Sequence, residues 1–403
     1  MQVYPTKEEV AAIAASGDYR RVPISTELFA DRFTPIEVLR QLRRQSRHCF
    51  LLESAEDNQK WGRFSFLGYE PTLEITCENG QLRQRRDNGD VTVSETDHPR
   101  QAVRELLARY RSPVLPKLPP FTGGLVGYFS YDYMKYAEPR LRETLPTGGD
   151  NDFRDMDLML FDKVIAFDHY RQKVILIVGV DTEDVDASYE QAVAQLADMK
   201  RLLDEGEPAR FAPLHLKEPL TPCFPKEQYM DMVQRARHYI YEGDIFQVVL
   251  SDPLTAAAEG SLLDTYRVLR TTNPSPYMFF FVSDDIEMAG ASPETLTKLY
   301  DGTVSTFPLA GTRPRGATEE EDKAREADLL QDEKELAEHN MLVDLGRNDI
   351  GRISEIGSVK VEKYLSIERF SHVMHIGSTV TGRLAAGKDA VDAIDAILPA
   401  GTL

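Results

Sequence analysis

The sequence has few cysteines and lacks the common signatures of cofactor and nucleophile sites. Cys49, Cys77 and Cys223 are the only cysteines among 403 residues, and no two of them form a C-x-x-C motif. This argues against a disulfide framework and against a zinc site. The dinucleotide-binding, nucleoside-triphosphate-binding, nucleophile-elbow and zinc-protease motifs are also absent. Carboxylates and histidines therefore remain as the main candidates for chemistry.

Positive charge is scarce as well. Lysine and arginine number 47 against 66 aspartates and glutamates, which gives a net charge of −19. Such a charge argues against nucleic acid and anionic membranes as partners. The chain has no apolar run with the length of a signal peptide or a membrane span, so we expect a cytoplasmic protein. An anionic substrate would need a bound cation or a few well-placed arginines.

The length and the hydrophobic pattern predict two α+β domains with a linker. Residues 1–204 contain mostly short apolar and β-branched runs, which are typical of strands. Residues 205–224 are rich in proline and lack periodicity, which predicts a linker before a second domain at 225–403. Strands and helices are mixed rather than strictly alternating. We therefore expect large antiparallel sheets with flanking helices and not a Rossmann fold.

Local signals predict further elements. A capping box at Thr6 begins the first helix. In the second segment a helix with an apolar stripe is predicted over residues 225–242, followed by a strand at 246–250. No proline or glycine interrupts residues 326–345, which predicts one continuous helix there.

Glu335 and Glu338 are three positions apart and therefore share a face of this predicted helix. Apolar residues follow Glu338 at three and four positions, which suggests that this face is turned towards the core. Two carboxylates in such a place repel each other and lose hydration unless a cation neutralises them. Oxygen ligands of this kind suit Mg²⁺. The alternative is a solvated helix with the pairs Lys334–Glu338 and Glu335–His339.

Three other segments could contribute to a site. Glu294, at a predicted turn, could donate a proton if burial raised its pKa, or it could be a surface turn residue. The loop at 308–316 could bring backbone N–H groups and two arginines to a carboxylate, or it could offset an acidic surface. His372 and His375 would face opposite sides of a strand, so one could transfer protons while the other is structural.

Together these segments resemble the chorismate-utilising enzyme family, and within it the large subunits of anthranilate synthases. The resemblance spans nearly the whole chain, and it is the combination of segments that makes it specific. The segments that carry it are residues 51–54, 61–68 (including Trp61), 243–251, 273–278, 292–294, 310–316, 335–349 and 372–375.

The resemblance implies the fold of that family and a Mg²⁺-dependent lyase. Glu335 and Glu338 would hold Mg²⁺, directly or through water, and the ion would bind a carboxylate of chorismate. Gly311, Thr312 and Arg313 match substrate-binding positions, and Thr312 also lies at the catalytic site.

The implied reaction makes anthranilate in two steps. Ammonia adds at ring C2 while the C4 hydroxyl leaves, protonated by Glu294. Pyruvate is then eliminated with the help of His375, in a proton-transfer or orienting role. The ammonia would come from a separate glutaminase subunit in a hetero-oligomer, because this sequence has no nucleophilic cysteine motif for glutamine hydrolysis.

Two positions separate the branches of the family. Relatives that add water carry a lysine where this chain has Gln247, and glutamine cannot act as a base near neutral pH. Aminodeoxychorismate synthases carry a nucleophilic lysine where this chain has Ala310, which offers no amine of its own. Gln247 with Ala310 is the combination found in the anthranilate branch, and aminodeoxychorismate synthesis is the alternative.

A second set of residues resembles the pocket at which tryptophan inhibits the family. A serine hydroxyl and a glutamate carboxylate can meet an amino-acid ammonium group, while the other side chains enclose an indole. Such a pocket could couple tryptophan to chorismate binding, or it could be an ordinary seam between domains. Its predicted residues are Leu52, Glu53, Ser54, Pro276, Tyr277 and Met278.

The sequence departs from the family in two places. Asp252 and Pro253 follow Ser251, where the family continues its strand with a different sequence. The sequence also ends with residues 399–403, whereas the family continues beyond this point with further glutamates and substrate-binding groups. If the natural polypeptide ended there, we would expect little activity. It would then be a catalytically inactive fragment that binds tryptophan or docks a subunit.

Overall fold

The structure is a computed structural model that describes residues 1–54, 62–142 and 153–399. Trp61 and residues 400–403, which the sequence analysis used, lie outside the described residues. None of the described helices has the length and apolar character needed to cross a membrane. These helices are α1 (Lys7–Ala14), α2 (Pro35–Gln45), α3 (Pro99–Arg109), α4 (Met134–Ala137), α5 (Val185–Glu205), α6 (Lys226–Glu242), α7 (Leu263–Thr272), α8 (Glu319–Leu329), α9 (Glu333–Gly351) and α10 (Ala390–Ile397).

The strands form three larger sheets and two short two-stranded sheets, and all the strand pairs are antiparallel. They are β1 (Arg21–Phe29), β2 (Cys49–Glu53), β3 (Phe64–Tyr69), β4 (Leu73–Glu78), β5 (Gln81–Arg86), β6 (Val91–Glu95), β7 (Gly124–Phe129), β8 (Met156–Phe161), β9 (Lys163–Asp168), β10 (Lys173–Asp181), β11 (His215–Leu216), β12 (Thr221–Pro222), β13 (Leu254–Thr255), β14 (Ala258–Glu259), β15 (Tyr277–Val282), β16 (Glu287–Ser292), β17 (Lys298–Tyr300), β18 (Thr303–Thr306), β19 (Leu309–Pro314), β20 (Lys360–Arg369) and β21 (Val373–Arg383). The expected α+β class with antiparallel sheets is confirmed.

The largest sheet joins strands from both halves of the chain. Its order is β1-β10-β9-β3-β2-β15-β16. Ile24, Leu51, Leu176 and Phe280 are fully buried in its core cluster, and α2 and α5 contact the strands of this sheet. Because β15 pairs directly with β2, the two predicted domains share one sheet, and the division at residues 205–224 stays a prediction.

A second sheet, in the order β6-β5-β4-β8-β7, lies behind the first. Aromatic side chains fill the space between them, with the rings of Phe50 and Phe161 4.8 Å apart. Gly68 is required there, because a Cβ atom at this position would lie 2.3 Å from the ring of Phe50. Glycine thus allows the two aromatic residues to meet under β3.

The third sheet is arranged around β21, and it positions the candidate site. β20 pairs along one edge of β21, while β19 and β18 pair along the other edge. Helix α9 packs on β18, β19 and β21. Its buried residues are His339, Leu342, Val343, Gly346 and Ile350.

The predicted continuous helix over residues 326–345 is wrong. Helix α8 ends at Leu329, and α9 begins at Glu333. Asp332 lies between them, and its side chain accepts hydrogen bonds from the backbone N–H groups of Lys334 and Glu335. An aspartate that caps a helix in this way begins a new one without any proline or glycine.

The predicted strand over residues 246–250 is also wrong. This segment pairs with no strand in the described part of the chain, and Phe246 and Val249 are 87% and 63% exposed. The apolar stripe predicted on α6 likewise meets no core, since α6 has no buried residue. An apolar run becomes a strand only where it has a partner strand, and the sequence pattern cannot show one.

The structure provides a reason for the unusual Asp252-Pro253 pair. The carboxylate of Asp252 accepts a hydrogen bond from the backbone N–H of Phe224 at 3.1 Å. The carbonyl of Pro253 accepts one from the N–H of Cys223 at 3.0 Å. The pair therefore fastens the entrance of α6 to the segment that follows that helix.

Candidate active site

The centre of the candidate site is a β-bulge between β19 and β21. Ala310 pairs with Ile376 and Thr312 pairs with His375, so the register shifts at Gly311. Gly311 has a φ of +65°, which glycine adopts without the strain that a side chain would cause. The bulge directs the backbone carbonyl of Gly311 towards His375.

His375 is oriented by two oxygen atoms of this bulge. Its Nδ1 lies 3.1 Å from the carbonyl oxygen of Gly311 and 3.1 Å from Oγ1 of Thr312. A carbonyl can only accept, so we infer that Nδ1 carries the hydrogen and that Nε2 bears the lone pair. The ring of Phe370 packs edge-on at 5.6 Å. The half-buried imidazole is therefore held with its basic nitrogen available.

Glu335 lies beside the same bulge. Its Cβ is 3.4 Å from the point that a Cβ of Gly311 would occupy. The side chain of Glu335 is 19% exposed, and Lys334 is its nearest cation at 3.9 Å. The carboxylate of Glu335 is mostly buried, and the only cation close to it among the described residues is the flexible side chain of Lys334. This arrangement fits a role as an oxygen ligand for Mg²⁺.

Glu338 is one turn further along α9 and is exposed. The prediction that both glutamates face the core is therefore wrong for Glu338, because the buried side of α9 begins at the next residue, His339. Neither Lys334–Glu338 nor Glu335–His339 occurs among the ion pairs and hydrogen bonds of the described residues. Glu335, which is mostly buried, and Glu338, which is accessible, still offer carboxylate oxygens from one helix, the type of ligand that suits Mg²⁺.

The arginines of the bulge loop already have partners. Arg313 donates to Asp328 at 2.7 Å and to Asp332 at 2.9 Å. Arg315 forms a fork with Asp322, and this lowers the pKa of Asp322 to about 2. Arg313 thus fixes the connection between α8 and α9, and its predicted contact with substrate stays a prediction.

The remaining predicted catalytic residues lie at different places in the fold. Ala310 is buried in β19, where its small side chain leaves space at the bulge. Glu294 follows β16, and loss of surrounding water raises the pKa of its carboxyl group although the residue as a whole is exposed. A raised pKa is what a proton donor near neutral pH requires. Gln247 lies on the exposed segment after α6 and not on the predicted strand.

A cavity of about 430 Å³ lies between the first and third sheets. Five of the six residues predicted to bind tryptophan line it, namely Leu52, Glu53, Ser54, Pro276 and Tyr277. Met278 does not, because it packs in the core on the other side of the sheet. Tyr277 and Met278 are neighbours on β15 and point to opposite faces of the sheet.

The other walls of this cavity were not predicted from the sequence. Phe64 and Phe66 contribute apolar surface from β3, and β20 and β21 contribute Lys363, Glu368 and Ser378. The carboxylate of Glu53 accepts hydrogen bonds from the hydroxyl of Tyr266 at 2.8 Å and from the guanidinium of Arg270 at 2.6 Å. The negative charge of Glu53 is therefore already matched inside the protein.

A partly buried polar network lies apart from these two sites. His48, Glu74 and Asp284 bring ligand atoms within 4.8 Å of one another. Arg85 donates to Glu74 and Asp284 at 2.7 and 2.9 Å, so a guanidinium group already supplies the positive charge. We interpret this cluster as an ion-pair network that joins β15 to the second sheet.

The carboxyl group of Asp157, next to this network, should make the free energy of unfolding depend on pH. Asp157 is fully buried, and burial raises the pKa of its carboxyl group from 3.8 to about 6. The folded state therefore binds this proton more tightly than the unfolded state, and stability is lost as pH rises from about 4 to about 6. We expect Asp157→Asn to raise the free energy of unfolding at pH 8 by about 1–3 kcal/mol, measured by urea denaturation.

The matched control for this prediction is Asp285→Asn. Asp285 is paired with the same arginine as Asp157, Arg154, but its side chain is 66% exposed. Its substitution should change stability by less than about 0.5 kcal/mol at either pH. A loss of stability in Asp157→Asn at pH 8 would show that its charge is needed in the fold.

The family profile and two similar curated sequences agree on one family. The sequence profile of the chorismate binding enzymes matches residues 47–403. Anthranilate synthase component 1 of Pseudomonas aeruginosa is 43% identical over 402 residues, which cover 98% of this chain and 81% of that protein. The corresponding protein of Aquifex aeolicus is 42% identical over 408 residues, covering 98% of this chain and 80% of the relative.

Solved structures agree with the sequence relatives. Anthranilate synthase component I from Streptococcus pneumoniae superimposes with a TM-score of 0.70 at 36% identity, covering 93% of this chain and 80% of that one. A menaquinone-specific isochorismate synthase from Escherichia coli reaches a TM-score of 0.59 at 15% identity, covering 98% and 78%. The second likeness shows a shared fold only.

Proposed function

The chain belongs to the chorismate-binding enzyme family, and from this premise we propose that it converts chorismate and ammonia to anthranilate, pyruvate and water. This would be the first step of tryptophan biosynthesis, in the cytoplasm. The observation that carries the proposal is the cluster of Glu335, Thr312 and His375 around the bulge at Gly311. The cluster brings a carboxylate that could bind a metal ion close to an oriented base.

We assign the second half-reaction to His375. After amination, Nε2 would take the proton from ring C2, and the electrons of that C–H bond would form the new ring double bond. The C3–O bond would break with its electrons, and the departing enolpyruvate would become pyruvate after protonation. The hydrogen bond from Nδ1 to Gly311 stabilises the imidazolium that forms, because it offers the positive ring an acceptor.

Glu335 and Glu338 would hold Mg²⁺, which supplies positive charge for a carboxylate of chorismate. In a protein with a net charge of −19, this local charge offsets long-range repulsion of an anionic substrate. Glu294 would protonate the leaving C4 hydroxyl, and its raised pKa supports that role.

Ammonia would come from a glutaminase partner subunit in a hetero-oligomer. The buried Ala310 supports a free amine as the nucleophile, because it carries no nitrogen of its own. Gln247 supports the exclusion of activated water, since its amide is no base.

We propose tryptophan as the feedback inhibitor, bound in the cavity between the first and third sheets. Phe64, Phe66 and Pro276 offer apolar walls for an indole, and Ser54 offers a hydroxyl for the amino-acid group. The cavity volume of about 430 Å³ is in the range of small-molecule sites.

Ser54→Ala tests this assignment. Hydrogen bonds to charged groups contribute about 1.5–3 kcal/mol, so the tryptophan concentration for half-inhibition should rise about 10- to 100-fold. Ser46→Ala is the control, because the hydroxyl of Ser46 bonds to the carbonyl of His48 before β2 and does not line the cavity. Unchanged inhibition in Ser54→Ala would refute the pocket.

The catalytic proposal is tested by anthranilate fluorescence in the natural full chain, supplied with chorismate, Mg²⁺ and an ammonium salt. Formation of anthranilate together with pyruvate is expected. Isochorismate as the product would overturn the role of Gln247, and an aminated product without pyruvate would favour aminodeoxychorismate synthesis. Tryptophan binding without turnover would favour a non-catalytic binding role.

A further inference from the structure

The cavity wall and the helix of the two glutamates are joined by a buried hydrogen bond. Ser378 lines the cavity, and its Oγ lies 2.7 Å from Nε2 of His339 on α9. Ser378 is 3% exposed and His339 is 0% exposed. His339 directly follows Glu338 and stands one turn after Glu335, so a movement of α9 at this contact would carry both glutamates with it.

The direction of this hydrogen bond follows from the other ring nitrogen. Nδ1 of His339 is buried without a hydrogen-bond partner among the described residues. A buried N–H without an acceptor is strongly unfavourable, so the hydrogen belongs on Nε2, which donates to Ser378. The N–H of Leu365 also donates to the Oγ of Ser378, at 3.1 Å. The hydroxyl hydrogen of Ser378 is thus left for an acceptor elsewhere, such as the carboxylate of a bound amino acid.

A bulge in β20 makes a second connection. The register of β20 against β21 shifts between Lys363 and Ser366, and Leu365 has a φ of +52°. Lys363 lines the cavity, whereas the hydroxyl of the next residue, Tyr364, donates to Asn340 of α9 at 2.5 Å. One four-residue segment therefore touches both the cavity and α9.

We propose that tryptophan in the cavity and Mg²⁺ on α9 weaken each other's binding chiefly through the Ser378–His339 hydrogen bond, which the β20 bulge supports through the N–H of Leu365. His339 is then a positioning residue that transmits the state of the cavity to Glu335 and Glu338. This inference rests on the proposed function of the cavity as a tryptophan site. Because coupling between two binding sites is reciprocal, each ligand must reduce the affinity for the other by the same factor.

The test is calorimetric titration of tryptophan into the natural full chain, with and without saturating Mg²⁺. We expect Mg²⁺ to raise the Kd of tryptophan by about fivefold or more. In His339→Leu this ratio should fall below about twofold. In His339→Gln it should recover, because a glutamine amide can place an N–H near the position of Nε2.

Ser358→Ala is the matched control. The hydroxyl of Ser358, just before β20, donates to the carbonyl of Glu355 at 2.8 Å. Ser358 does not belong to the residues that line the cavity, so the ratio should stay as in the wild type. If His339→Leu does not fold, Ser378→Ala is titrated in its place. The ratio compares the Kd of tryptophan with and without Mg²⁺ in the same variant, so a general loss of tryptophan affinity does not affect it.

The outcomes separate this inference from the proposed function. The coupling would be overturned, and the tryptophan site left intact, by either of two results. One is a wild-type ratio of the two Kd values in folded His339→Leu, and the other is a tryptophan Kd that Mg²⁺ does not change in the wild type. Failure of the wild type to bind tryptophan at all would overturn the site and the coupling together.

Discussion

Glu338→Ala should abolish Mg²⁺-dependent turnover while the protein remains folded. Loss of a metal ligand removes several kcal/mol of charge stabilisation, so kcat/KM should fall by about 10²–10³-fold at a fixed Mg²⁺ concentration. Glu338 is exposed in the middle of α9, and alanine favours helix. The free energy of unfolding should therefore change by less than about 0.5 kcal/mol.

Asp344→Ala provides the comparison for this experiment. Asp344 is an exposed carboxylate on the same helix, paired with Arg347 at 2.9 Å, and it lies on a different face from Glu338. We expect its Mg²⁺ dependence to match the wild type. Undiminished Mg²⁺-dependent activity in Glu338→Ala would contradict the assignment of the ligand.

His375→Ala should block the reaction between its two steps. Without Nε2 the ring proton has no positioned acceptor, so pyruvate release should slow by about 10²–10⁴-fold. Amination depends on other groups and should slow much less. The aminated intermediate should therefore accumulate, and chromatography of single-turnover mixtures, alongside a pyruvate assay, measures both species.

The nearby His372 allows a control with the same type of side chain. His372 precedes β21 and is exposed, and among the described residues its imidazole ring bonds only to Ser371. His372→Ala should release pyruvate at the wild-type rate. If His375→Ala slowed amination and elimination equally, with no intermediate, the elimination role of His375 would be wrong.

Local sequence signals predicted the start of the first helix and the many strands of the first half of the chain. The capping box at Thr6 is present as expected, because caps and apolar periodicity act over a few neighbouring residues. The pairing of β2 with β15 joins residues more than two hundred positions apart. Such contacts depend on which surfaces meet in three dimensions, and a hydrophobic pattern contains no information on this.

The errors in the second half have a common cause. Residues 326–345 had the composition of a helix, yet the side chain of Asp332 divides them. Residues 246–250 had the composition of a strand, yet no described strand pairs with them. In both places one specific contact, made or absent, outweighs the average preference of the segment.

The candidate site was predictable only as a set of motifs. The resemblance identified Gly311, Thr312, His375 and Glu335, and the structure brings these four together. The bulge that orients His375 depends on pairing across strands, and the bonds from His339 to Ser378 and from Tyr364 to Asn340 depend on how α9 packs on the third sheet. The sequence alone could not show them, because nothing in the order of residues marks which serine a buried histidine will meet.

The pairing of β15 with β2 also bears on how this polypeptide can be handled. A product shortened to residues 1–204, as a linker at 205–224 would invite, would leave the outer edge of β2 without its neighbour. That edge carries Phe50 and Leu51, both fully buried in the intact fold, and bare apolar edges of this kind recruit other chains into aggregates. Biochemical work on the amino-terminal half should therefore keep β15 and β16 attached.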